Sequence, residues 1–296
     1  MTDVPKRLNI PTSKAGGRLR GLAAQLALTW RKSPVAIIGA AIVLFWILVA
    51  IFAPLISPYD PLAINYTALS DPYPSAKHWL GVDPKGRDIL SRIIHGARAV
   101  LLIAPAAVLS AYVVGTAMGT SAAYFGGWVD TIISRIADVI LSFPILVLYI
   151  LLITTIGASA LNIILAVTVA TSPAICRLTR GLILELKSND YVAAAQLRGE
   201  SAPYIMFMEL LPNARGPLLL DACVRIGWTI LTIGALSFLG LGLPPPTPDW
   251  GGMTREASRV LLIWPFMSIF PSIALVSLVV GFNLCADGLR ELTSSR

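Results

Sequence analysis

Six long apolar stretches alternate with shorter polar ones along this chain, and neither the alternation of a strand nor the single stripe of a surface helix describes them. The first, 34–56, is an uninterrupted run opened by Pro34. Further runs at 99–124, 137–156, 161–182, 217–243 and 261–286 follow, and each reaches the roughly 20 residues that cross a hydrocarbon core as a helix. The pattern predicts an all-α polytopic membrane protein with six transmembrane helices. Gly126-Gly127-Trp128-Val129-Asp130 is expected to turn the chain between spans two and three, and Gly157-Ala158-Ser159 between spans three and four. Pro144 and Pro173 fall inside spans three and four, where neighbouring helices can satisfy the carbonyls that a proline frees.

Composition supports this reading and excludes others. Apolar residues make up 56% of the 296 residues and charged ones 13%, too few charges to cover a soluble surface. The net charge of +7 is topological, because basic residues collect on the cytoplasmic side of membrane proteins. With both termini cytoplasmic, fifteen Lys and Arg lie inside and seven outside, Arg225 falling at the membrane boundary. No basic patch with interleaved aromatics suggests a nucleic-acid partner. Cys176, Cys223 and Cys285 lie in or beside apolar runs without disulfide or metal spacing and are expected to be inert thiols.

The polar residues divide the chain into segments. A cytoplasmic tail, 1–33, ends in an expected membrane-surface helix from about Arg18. An extracytoplasmic segment, 57–98, follows the first span and is rich in Pro, Asp and Tyr. The core, 99–290, contains a cytoplasmic loop, 183–216, and a short tail, 291–296, closes the chain. In the loop, Asn189 or Asp190 can cap a helix over 191–198 that Gly199 breaks. Ser201 can cap a second helix with Pro203 in its first turn and Pro212 as its end. This helix–Gly–helix element carries Tyr191, Val192, Leu197, Tyr204, Ile205, Met206 and Phe207. Two readings follow: these side chains pack onto the bundle, or they dock another protein together with Ala193, Ala194 and Ala195.

The loop resembles the Glu-Ala-Ala loop of binding-protein-dependent ABC importer permeases, whose spacing Ala194, Ala195, Gly199, Leu211 and Pro212 match. Ala193 stands where that family usually has Glu, and Arg198 where it usually has an apolar residue. Asp190, Gln196 and Glu200 are candidate replacements for the missing carboxylate. Three further groups of segments are similar to the C-type permeases of dipeptide, oligopeptide and nickel importers. They are Phe52–Pro61 with His78–Arg92 and Gly96-Ala97-Arg98; Ser237–Gly242 with Pro248–Gly251; and Phe282–Arg290. The resemblance implies a type I ABC importer transmembrane domain in the cell membrane, supplying half of the translocation path. It implies a homologous second permease, one or two ABC ATPase subunits and an extracytoplasmic substrate-binding protein. It also implies an ATPase-coupling loop comprising Asp190, Tyr191, Ala193, Ala194, Ala195, Gln196, Gly199, Glu200, Ala202, Tyr204, Leu211 and Pro212. Gly81, Asp83, Gly86, Arg87, Asp88 and Arg92 form the external family motif, a folded cap or a contact for the binding protein.

The chain contains no Gly-Lys pair, hence no P-loop. ATP and Mg are expected on the partner subunits, with no cofactor, metal or catalytic residue in this chain. His78 and His95 lack ligand spacing. Asp221 with Arg225 near the inner end of span five, and Arg135 with Asp138 at the start of span three, are expected to be structural charge pairs. Small residues such as Gly115, Ala117, Gly119, Gly227, Gly234 and Ala235 allow close helix contact. Peptides, dipeptides foremost, are the substrates the resemblance implies, with oligopeptides, nickel chelates or haem as alternatives. A self-sufficient secondary transporter or channel is the competing class, and it expects mid-span carboxylates or inverted repeats.

Overall fold

The computed structural model describes residues 34–294. The tail 1–33, with the surface helix expected in it, lies outside the described residues, as do the last two residues of 291–296. Nine helices form the described chain: α1 Pro34–Ile56, α2 Ile89–Phe125, α3 Gly127–Leu141, α4 Ile145–Ile156, α5 Ala160–Lys187, α6 Asp190–Leu197, α7 Ala202–Phe238, α8 Trp250–Ser258 and α9 Phe266–Ser294. Among the described residues the only extended pairing is a bridge between Val82 and Asp88. Five helices, α1, α2, α5, α7 and α9, are long and apolar enough to span a membrane. The pair α3 and α4, bent by 89°, makes a sixth span when counted as one.

Several boundaries differ from those expected. Span two, expected from residue 99, begins as a helix at Ile89, capped by the Asp88 side chain, which accepts from Ser91 N. Arg92 and His95 belong to this added length; Arg92 Nη1 meets Asp83 and Glu256, and His95 Nδ1 lies 3.0 Å from Ser91 O within the helix. Span three does not run straight through Pro144, whose ψ is 126° at the start of α4. A proline disfavours α geometry in the residue before it, and the chain breaks at Ser142-Phe143. The turn expected over Gly126–Asp130 shrinks to Gly126 (φ +66°), with Gly127 (φ +52°) already opening α3.

Pro212 does not end its helix. Residues Ile205–Leu210 adopt a π-helical turn, and Leu211 N bonds Met206 O, five residues back. Widening the turn removes the clash between a proline ring and the preceding carbonyls, so α7 continues to Phe238. Its end is set by Gly240 (φ +87°), with Leu241 N on Leu236 O at 2.8 Å and Gly240 N on Ser237 O. That 6→1 and 5→2 pair stops the helix short of the expected residue 243.

Small residues hold the bundle together within this subunit. A β-carbon on Gly115 would lie 2.7 Å from Ser172 O, and one on Gly119 2.5 Å from Cys176 O, so α2 and α5 touch backbone to backbone. The same closeness at Gly39 and Gly288 joins α1 to α9. Trp46 bonds Ser277 Oγ at 2.9 Å and meets the Trp250 ring edge-on at 4.8 Å. Outward-facing Leu44, Phe45, Ile51, Leu102 and Ile273 remain exposed, a belt for lipid or partner helices.

Candidate functional site

The loop 183–216 folds as expected through its first half. Asn189 stands at the N-cap of α6 without a side-chain cap bond. Gly199 (φ +76°) closes the helix, with Glu200 N on Ala195 O at 3.2 Å and Gly199 N on Gln196 O at 2.9 Å. Only a residue tolerant of positive φ fits there. Ser201 then precedes α7, with Pro203 in its first turn.

Packing divides the element into two faces. Val192 and Ala195 are buried with Ile183 of α5, Ala123 of α2, and Ile205, Leu210, Ala214 and Leu218 of α7. Tyr191 and Leu211 are half-buried against that cluster. The opposite face presents Ala193, Ala194, Gln196 and Leu197, the last 90% exposed, while Tyr204, Phe207 and Pro212 are exposed along the first turns of α7. The packing expectation holds for one face of the loop, and the other leaves a leucine and two small residues exposed at its tip. Ala202 is half-buried at the start of α7.

The candidate substitutes for a carboxylate separate by their contacts. Glu200 is engaged by Arg198 at 3.5 Å, and Arg198 also reaches Glu209 at 3.4 Å. Asp190 and Gln196 are exposed, and their side chains have no hydrogen bond or ion pair among the described residues. Lys187 anchors the entry to the loop by donating to Tyr124 O at 2.6 Å and Ala123 O at 3.2 Å. A lysine on the last carbonyls of α2 complements its dipole.

At the other end of the bundle the external motif forms a closed cap. Asp83-Pro84-Lys85-Gly86 makes a tight turn with Gly86 at φ +78°, and Asp83 N bonds Arg87 O at 2.8 Å. Asp83 Oδ1 accepts from Lys85 N and Arg87 N, and Oδ2 from Arg87 Nε at 2.7 Å and Arg92 Nη1 at 2.6 Å. Glu256 of α8 bonds Arg87 and lies 2.8 Å from Lys85 Nζ. Burial pushes the Asp83 carboxyl above its ordinary value against the pull of Arg87 and its backbone donors. His78 Nδ1 meets Asp88 Oδ1 at 2.9 Å, and Trp250 Nε1 donates to Ile93 O. A β-carbon on Gly81 (φ +80°) would lie 2.8 Å from the Phe266 ring and closer still to Pro72 O. Asp83, Arg87, Asp88 and Arg92 are thus buried inside the cap, and their side chains present no surface to a partner. Exposed beside them are Lys85, Arg255 and Arg259, around a cavity of about 520 Å³.

Sequence reading did not anticipate α8. Its Trp250-Gly251-Gly252 start lacks helical propensity, yet Asp249 accepts from Gly252 N. The predicted Arg135–Asp138 pair does not form: Asp138 meets Arg177 at 2.5 Å and Asp130 meets Arg180 at 2.5 Å, both across to α5. Asp221 and Arg225 do pair, at 2.5 Å, and Tyr112 of α2 donates to the same carboxylate. Among the described residues no cluster of metal-ligating side chains occurs.

Comparison with known proteins agrees with this geometry. Residues 111–296 match the family described as binding-protein-dependent transport system inner membrane component, and residues 24–73 match the N-terminal transmembrane domain of oligopeptide transport permease C. The chain is 40% identical over 266 residues to the glutathione transport system permease protein GsiD of Pectobacterium atrosepticum, covering 88% of each chain. It is 37% identical over 261 residues to the dipeptide transport system permease protein DppC of Alkalihalophilus pseudofirmus, covering 88% of this chain and 86% of that one. The inward-facing MetNI methionine ABC transporter contains a similarly folded chain, with a TM-score of 0.56 at 17% identity over 70% of this chain and 97% of that chain.

Proposed function

This chain belongs to the family of binding-protein-dependent transport system inner membrane components, and on that premise we propose how it works within an ATP-driven peptide importer. It is a membrane-embedded permease subunit of an ABC importer. In our reading its cargo is a small peptide, a dipeptide or glutathione, the substrates for which the two relatives described above are named. A homologous second permease supplies the other half of the path. Separate ATPase subunits bind ATP and Mg and do the hydrolysis, and this chain takes no catalytic part. An external binding protein delivers the peptide to the outer face around Lys85, Arg255 and Arg259.

The observation that carries the reading is the two-faced α6. Its exposed tip, Ala193, Ala194 and Leu197, offers a small apolar surface to an ATPase groove, with Asp190 and Gln196 as the polar contacts. Its buried face shares one apolar cluster with α2, α5 and α7. Displacing α6 by a few ångströms therefore drags the inner ends of three helices, because a close-packed core moves as a unit rather than deforming. ATP binding brings the ATPase subunits together, and the helices follow as rigid bodies between inward- and outward-open arrangements.

The direct test is co-purification from a strain expressing the whole importer. ATPase subunits come down with the tagged wild-type chain and are lost with an Ala194→Arg, Leu197→Asp variant that still inserts in the membrane. Retention of the ATPases by that variant would refute the docking assignment. Deleting 190–212 is a poorer test, since it removes the first turns of α7 and the buried Ile205, Met206 and Leu210.

A further inference from the structure

Ionisable side chains inside a membrane span are rare because removing them from water is expensive, and they mark places that meet water, a ligand or one another. Three polar side chains meet in this way between α2 and α7. Asp221 Oδ2 accepts from the Tyr112 hydroxyl and from Arg225 Nε. Arg225 lies roughly 20 Å along α7 from the outer end at Phe238, taking about 1.5 Å per residue, which in a hydrocarbon core of about 30 Å leaves it about 10 Å, and Asp221 about 5 Å, from the inner edge.

The face it occupies stays open in this subunit. Asp221 and Arg225 keep 27% and 23% of their side-chain surface exposed. One turn outward, Trp228 is 64% exposed, and its indole N–H has no acceptor among the described residues. Thr232, a further turn out, completes a stripe at helical spacing. Tryptophan at this depth is away from the interfacial belts where it usually resides. Tyr112 also lines a groove of about 400 Å³ with Leu109, Val113, Leu219, Ala222 and Ile226. A guanidinium, a carboxylate and an unpaired indole N–H on one mid-depth face are incompatible with contact to lipid tails.

Resting on the peptide-importer reading, we infer that the Tyr112–Asp221–Arg225 group lines the aqueous path and that Arg225 receives the carboxylate of the passing peptide. Arg225 Nε is held by Asp221, and the Tyr112 hydroxyl lies beside the same guanidinium. A guanidinium carries five N–H donors in a planar fork, so donors remain to meet a passing carboxylate. Asp221 and Tyr112 act as positioning residues that fix the guanidinium plane. Asp221 also offsets the positive charge, so a carboxylate is attracted without being held, as a conducting site requires. Trp228 and Thr232 extend the polar track outward.

The test uses the complete importer in proteoliposomes, at equal recovery of assembled complex. Uptake of dialanine and of dialanine C-terminal amide is measured for the wild type, Arg225→Gln and Arg225→Lys, each variant's rate being divided by the wild-type rate for the same probe. Arg225→Gln lowers dialanine uptake about tenfold or more, the scale of one charged hydrogen-bonded contact. Arg225→Lys loses less, and amide uptake changes by less than about threefold. Equal loss for both probes, or no loss, overturns the assignment. Independently of any peptide, Trp228→Cys in a complex with Cys176, Cys223 and Cys285 changed to Ser is labelled by a charged, membrane-impermeant thiosulfonate. Absence of labelling places the face against lipid or the second permease and overturns the path. A wild type that imports neither probe contradicts the peptide reading itself, while the labelling arm still reports on the path.

Discussion

Leu197 and Val192 sit five residues apart on one short helix, and truncating each to alanine should have opposite consequences. Leu197 is 90% exposed, so Leu197→Ala removes almost no folded-state contact and replaces one strong helix former with another. If the side chain is buried when an ATPase docks, three lost carbons at about 0.8 kcal/mol per methylene weaken docking by about 2 kcal/mol. That corresponds to roughly a thirtyfold rise in Kd. Val192 is 1% exposed in the cluster that joins α6 to α5 and α7. Val192→Ala should therefore cost about 1–3 kcal/mol of stability through the cavity it leaves. The assay is a paired one: thermal unfolding of the permease pair in lipid nanodiscs, and titration of the same nanodiscs with purified ATPase. Leu197→Ala should leave the melting temperature unchanged and shift the titration, whereas Val192→Ala should lower the melting temperature. An unshifted titration with Leu197→Ala would refute the division of α6 into a docking face and a packing face.

Two further predictions concern the fold. Gly119→Ala and Gly181→Ala make the same chemical change in long helices with opposite expected signs. At Gly119 the new methyl meets Cys176 O at 2.5 Å and Thr179 Cβ at 2.8 Å, whereas nothing lies within 4 Å of the Gly181 position. Overpacking of about 1–3 kcal/mol should make the first destabilising, and a propensity gain of about 1 kcal/mol should make the second stabilising; detergent melting curves decide, and equal shifts would contradict the backbone contact. Asp88→Ala removes the cap bonds to Ser91 N and Oγ at 2.8 and 2.7 Å and the contact with His78. Its expected cost is about 1–2 kcal/mol, with faster hydrogen exchange confined to the first turns of α2, and unchanged exchange there would show that the cap is not held by this residue.

How far the sequence could be read depended on whether an element's cause was local. The end of span one was legible, because the first polar residue after Ile56 closes the run. The helix α6 was legible because Gly199 is a local stop signal, and it adopts positive φ, whereas Asn189 holds the N-cap position without the side-chain bond expected of a cap. The prolines misled because their effect depends on what surrounds them. Pro144 breaks its span by 89°, whereas Pro212 is carried by a π-helical turn that no residue pattern announces. The outer extension of α2 was hidden because Arg92 reads as a loop charge until Asp83 and, far along the chain, Glu256 close around it. The helix–Gly–helix loop was legible as a region, but its division into packed Val192 and Ala195 and exposed Ala194 and Leu197 required the fold. Likewise Asp221 and Arg225 could be paired from their spacing, but Tyr112, their third member, comes from another helix.

Contact between α6 and an ATPase subunit in the assembled importer can be read by cysteine cross-linking in native membranes, with a single cysteine introduced by Ala194→Cys on the exposed face and another by Ala195→Cys on the buried one. The first, treated with a short bifunctional thiol-reactive linker, should yield a cross-linked species containing the ATPase, whose yield changes when ATP is added, and the second should yield none. Cross-linking to the ATPase from the buried position alone, or from neither, would contradict that contact.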